Sequence, residues 1–263
     1  MEKYIYYKDL YFQNGLKESN FEDRYKNAKF QTDWEIILAG YLIENNINLS
    51  KDKTNLDFLA KYKDKNFYIE ATAPTEGNNN NKVIDVPCNN DNFEDGIRDD
   101  NKIFLRFTSC IQDKIKQINT KNLDNKGNVI LAINGKQCVK NWEIPDYFSM
   151  NFPFIVRCAF GLGNLCINRD SKLTFDCSTI YKKGEKNLHI PAIFPNQNTP
   201  ISGIIYSEIT QNKILQYGIS KKDFLYIQNP LKTDFRDTFS EIMNIYEYES
   251  KGTKICLKGV NFN

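Results

Sequence analysis

Apolar and polar positions alternate along residues 55–74, and the alternation has two arms around a polar turn at Lys63, Asp64, Lys65 and Asn66. That pattern predicts a β-hairpin. Asp57 and Glu70 are thirteen positions apart, an odd separation. Folding between residues 63 and 64 therefore sets them opposite each other on one face. Phe58, Ala60, Phe67, Ile69 and Ala71 then share the other face, so the hydrophobic pattern agrees with the register. Opposed carboxylates repel, and in a half-buried strand at least one should hold its proton more tightly. A divalent cation is the simplest relief, because hard cations take carboxylate oxygens. The competing reading is a solvated hairpin face; Leu59 and Tyr68 on that face weigh against it.

Upstream, Trp34, Ile37, Leu38, Tyr41 and Leu42 recur at helical spacing, predicting a helix from Thr32 to about Asn45. Thr32-Asp33-Trp34-Glu35 has the form of a capping box, in which Glu35 bonds back to the Thr32 amide. Glu35 has a second reading, as an acid directed at the hairpin carboxylates. Residues 47–49 begin a first strand. A second helix is expected over residues 100–118, with Ile103, Phe107, Cys110, Ile111, Lys114 and Ile118 near one face. Residues 128–134 form a continuous apolar run ended by Gly135, which suits a buried strand. The order helix, strand, hairpin, helix, buried strand implies an α/β fold with a mixed sheet flanked by helices. Beyond residue 140, prolines, glycines and short apolar runs predict a strand-rich region, clearest at 201–206 and 224–227. Gly161-Leu162-Gly163 lacks the rest of a dinucleotide fingerprint and reads as a turn.

Composition narrows the classes. Residues are 41% hydrophobic and 13% aromatic, enough for a sizeable core, and the net charge of +2 advertises no global field for nucleic acid or membrane. The seven cysteines are odd in number and contain no Cys-x-x-Cys, which favours free thiols in a reducing, cytoplasmic setting. No stretch is long enough to span a bilayer, and no signal-type run opens the chain. His189 is the only histidine, which excludes multi-histidine metal centres and favours a structural role for it.

A helical Glu35, then Asp57 on one strand, then Glu70-Ala71-Thr72 on the next, followed by a helix and a buried strand, resembles the PD-(D/E)xK nuclease superfamily. The resemblance covers residues 32 to about 134. It implies a restriction-endonuclease-like core over 31–139; residues 1–30, polar and aromatic, read as an N-terminal arm or short helix, and 140–263 as a strand-rich extension packed on the core. It further implies Mg²⁺ (or Mn²⁺) held by Asp57 and Glu70, with the Ala71 carbonyl a candidate third ligand and Glu35 in support. The partner would be nucleic acid, DNA or RNA, cut by metal-assisted hydrolysis of a phosphodiester. The chain departs from the pattern at Thr72, where the family places a lysine; a hydroxyl supplies no positive charge. Lys114 is the first candidate substitute, ahead of Arg106 and Lys82. The alternative is a catalytically inactive nuclease-like scaffold that binds nucleic acid or a protein. Lys61, Lys63 and Lys65 at the hairpin suit phosphate contact and strand protection equally.

Overall fold

A computed structural model describes residues 2–51, 56–78, 82–83, 100–121, 128–139, 153–162, 165–167, 173–175, 180–183, 186–189, 192–194, 196, 198–251 and 254–260. The alternating stretch forms the expected hairpin, β2 (Phe58–Tyr62) and β3 (Lys65–Thr72). Phe58 pairs with Ile69 and Tyr62 with Lys65, leaving Lys63 and Asp64 as a two-residue turn. Lys63 adopts φ of +54°, a region costing an L-residue about 1–2 kcal/mol. Glycine avoids that strain but loses more entropy on folding. Lys63→Gly should therefore stabilise the protein by roughly 0.5–1 kcal/mol without moving the register, read as a midpoint increase of about 1–4 °C.

One sheet has the order β1 (Asn48–Ser50), β2, β3, β4 (Val129–Asn134), β9 (Ile201–Ser207), β10 (Phe224–Gln228), β11 (Asn244–Lys251) and β12 (Lys254–Val260). Strands β3, β4 and β9 run parallel, and antiparallel pairs flank them. Between β4 and β9 the chain forms α5 (Phe154–Phe160) and two short hairpins, β5 (Leu165–Ile167) with β6 (Leu173–Phe175), and β7 (Ile180–Lys183) with β8 (Lys186–His189). The side chain of His189 lies outside the described residues, as do residues 140–152 and 84–99.

Every residue of β4 is buried, because the strand is covered on both faces. Ile130 and Ala132 join a core with α3 (Lys29–Glu44), which also takes Phe58, Ala60, Phe67, Ile69 and Ala71. Val129, Leu131 and Ile133 join a second core with α4 (Asp100–Thr120) and α5. The fold is thus α/β, with a mixed sheet between helices; of the strand-rich region after residue 140, β9 to β12 continue that sheet, while β5–β6 and β7–β8 pair apart from it.

The segment expected as an N-terminal arm or short helix forms two helices, α1 (Glu2–Gln13) and α2 (Phe21–Asn27). Tyr4, Tyr7, Tyr11 and Phe21 are buried in the α3 core. A Cβ on Gly40 would lie 2.4 Å from the Tyr7 Cβ, so glycine is what lets α1 approach α3. The expected capping box does not form. Helix α3 begins at Lys29, three residues early, and the Thr32 amide already donates to the Ala28 carbonyl at 3.0 Å. Glu35 is thereby released from a capping role. In sequence α6 (Gln211–Tyr217) and α7 (Arg236–Phe239) flank β10; α6 lies against α1, and α7 against β10 and β11.

Candidate functional site

The end of β3 gathers the acids. Glu70 is 5% exposed, and its Oε1 accepts from the Lys114 Nζ on α4 at 2.7 Å. Lys121, just beyond α4, brings its Nζ to 3.9 Å from Oε2. Asp57 precedes β2 by one residue and is partly buried; its Oδ2 accepts from the Ala71 amide at 2.7 Å. The ladder ends at Phe58 and Ile69, so Asp57 reaches β3 through its side chain rather than as a paired strand residue.

Glu35 approaches from α3 and is 1% exposed. Its Oε1 accepts from the Arg24 guanidinium and, at 2.9 Å, from the Gln31 amide. The same Gln31 nitrogen donates to the Ala71 carbonyl at 3.2 Å. Both backbone polar groups of Ala71 are therefore engaged, its oxygen by Gln31 and its amide by Asp57.

Electrostatics tie these groups together. Asp57 is pushed up to about 7, first by burial and then by the Glu35 and Glu70 charges; the Ala71 amide and Lys114 pull the other way. Burial raises Glu35 as well, outweighing Arg24 and Gln31. For Lys114 burial works against the charged form, but Glu70 and then Asp57 reverse it and the net shift is upward. Burial also raises the Tyr11 phenol, and Glu35 raises it further, placing that ring among the same charges.

Structure thus associates Glu35, Asp57, Glu70 and Lys114 in one charged cluster. Thr72 is buried beside it, its hydroxyl 3.4 Å from the Cys110 thiol on α4. Of the other candidate cations, Lys82 pairs with Glu76 at 2.9 Å, and the Arg106 guanidinium lies against Gly77. On the hairpin, Lys65 donates to the Asp234 carbonyl, while Lys61 and Lys63 are exposed. Sequence reasoning missed Arg24, Gln31 and Lys121. Gln31 stands four residues before Glu35 on the same helix, a spacing that carried the signal. Nothing in the sequence pattern connected Arg24 or Lys121 to the acids.

Among the described residues no three His, Cys, Asp or Glu side chains converge as a ready-made metal-binding group. The donors nonetheless fit a hard cation. Glu35 Oε2 and Glu70 Oε2 are buried without a hydrogen-bond partner, which costs free energy; Lys121 stands 3.9 Å from the Glu70 oxygen, beyond hydrogen-bond reach. Cys110 is a free thiol, and the Cys138 thiol donates to the Pro74 and Thr75 carbonyls at 3.4 Å. Among the described residues no helix is long and apolar enough to cross a membrane. No protein-family model, curated protein or solved structure matches the chain.

Proposed function

We propose that this protein is a Mg²⁺- or Mn²⁺-dependent phosphodiesterase acting on nucleic acid, built on a restriction-endonuclease-like core and working in a cytoplasmic setting. The observation that carries the reading is the Lys114 ammonium on Glu70. Thr72 leaves β3 without the lysine this chemistry uses, and α4 supplies a cation to the same carboxylate. Asp57 and Glu70 would hold the ion, with Glu35 in support and the second lone pair of the Ala71 carbonyl within the same cluster. When bound, the ion supplies a Lewis acid that polarises the phosphate and makes water a better nucleophile at neutral pH. Lys114 offsets charge developing on the phosphate and orients the attacking water. Gln31 and the Ala71 amide hold Glu35 and Asp57 in place, which keeps reorganisation small during the reaction.

The scaffold alternative draws on Thr72 and on the charge compensation that Lys114 and Lys121 already give Glu70. One assay separates the two. Single- and double-stranded DNA and RNA are incubated with Mg²⁺, Mn²⁺ or EDTA, with Glu70→Gln alongside. The phosphodiesterase reading expects metal-dependent products that disappear in EDTA and in Glu70→Gln. A folded wild-type protein that retains nucleic acid yet cuts none of the substrates would leave the scaffold standing.

A further inference from the structure

Arg24 belongs to the segment that sequence alone sets apart from the core, yet it holds one of the three acids. Its Nη2 donates to Glu35 Oε1, and its Nη1 donates to Glu18 Oε2 at 2.7 Å. Lys51 takes the other Glu18 oxygen at 2.7 Å, which anchors that carboxylate in turn. Arginine–carboxylate pairs are frequently bidentate, with two N–H groups on the two oxygens of one carboxylate. Here the second prong goes to Glu18, and Glu35 is gripped by a single oxygen.

Gln31 reinforces the same oxygen. Its two acceptors, Glu35 Oε1 and the Ala71 carbonyl, cannot donate, so the amide orientation follows from its partners. Oε1 takes two donors while the buried Oε2 takes none. A carboxylate saturated on one oxygen and bare on the other has been oriented as well as compensated.

We propose that Arg24 is a positioning residue of the acidic site: it fixes Glu35 through one oxygen and leaves the other available to a cation, so the site is incomplete without residues before 31. The inference rests on the metal-dependent reading for its purpose, and on the Arg24–Glu18–Glu35 geometry for its substance. It assigns α2 a share in the chemistry that no core-only description of the fold contains.

The experiment compares wild type, Arg24→Met, Arg24→Lys, Glu35→Gln and the Arg24→Met/Glu35→Gln double variant. Three quantities are read: Mn²⁺ binding by calorimetry, kcat and KM on an oligonucleotide, and the thermal midpoint without metal. Arg24→Met should weaken Mn²⁺ binding about tenfold or more, the usual scale for losing a partner that orients a ligand. Turnover should fall with KM little changed. Arg24→Lys should recover only part of the loss, because an ammonium lacks the planar fork that spans Glu18 and Glu35. In the Glu35→Gln background Arg24→Met should add no further loss of Mn²⁺ binding; unchanged binding in the single variant, or an additive loss in the double one, overturns the proposal. If wild type neither binds Mn²⁺ nor cleaves, the phosphodiesterase reading falls, and the metal-free melts decide this one separately. A midpoint drop confined to the Glu35 background supports Arg24 as the holder of Glu35; equal drops in both backgrounds refute it.

Discussion

Asp57→Asn should make the metal-free protein more stable at pH 8 while abolishing metal-dependent cleavage. The reason is the direction of the Asp57 shift. Its carboxyl is raised from 3.8 to about 7, with burial and the Glu35 and Glu70 charges as the causes. A carboxyl raised on folding gives the native state more bound protons than the unfolded chain between about pH 4 and 7. Stability from this group is therefore full at low pH and declines as pH rises through that window. Above it, the native protein keeps a charge that its surroundings disfavour by about 4 kcal/mol. Asparagine removes the charge and still offers an oxygen to the Ala71 amide. The midpoint at pH 8 should rise by about 8–16 °C on that scale, and the gain should vanish near pH 4, where Asp57 is itself neutral. Saturating Mn²⁺ should stabilise wild type and leave Asp57→Asn unmoved. Melts at pH 4 and pH 8, with Mn²⁺ and with EDTA, make the comparison. A destabilised Asp57→Asn at pH 8 in EDTA would mean that Asp57 is a structural acid.

That trade, stability given up for a charge at one spot, was partly legible in the sequence. The hairpin could be read because both arms carry a period of two and only one fold point satisfies both. Strand β4 could be read because six buried residues in a row have few alternatives to a strand covered on both faces. Lys114 could be read as a candidate because α4 repeats its apolar face from Ile103 to Ile118 and places Lys114 beside it. The start of α3 could not. Thr32 to Glu35 satisfies a local rule, but the helix is set by the three preceding residues and by Ala28, whose carbonyl takes the Thr32 amide. Tyr4, Tyr7 and Tyr11 sit at near-helical spacing, so α1 left a trace that its polar neighbours obscured. Arg24 left none: its contact with Glu35 depends on how α2 meets α3, and no periodicity encodes that angle.

Lys114→Met should cost the metal-free protein about 2–4 kcal/mol and lower turnover by roughly 10²–10³. The stability part follows from what remains behind. Glu70 would sit at 5% exposure with Oε1 stripped of its hydrogen bond and Oε2 already without one. Removing one member of a buried pair costs about 3–5 kcal/mol, and the partial exposure of Lys114 and the Lys121 ammonium nearby both soften that figure. Lys114→Met/Glu70→Gln should accordingly recover most of the lost stability and none of the activity. Lys114→Arg should recover stability better than turnover, because its charge is kept while the position of its donors changes. Metal should now do part of the lysine's structural work, so Mn²⁺ should raise the Lys114→Met midpoint more than it raises that of wild type. Thermal melts and single-turnover cleavage on the same preparations test both halves. Full activity in Lys114→Met would show that the lysine only neutralises Glu70 and that Thr72 has no substitute on α4. Lost activity with the same response of both proteins to Mn²⁺ would separate its catalytic from its structural charge.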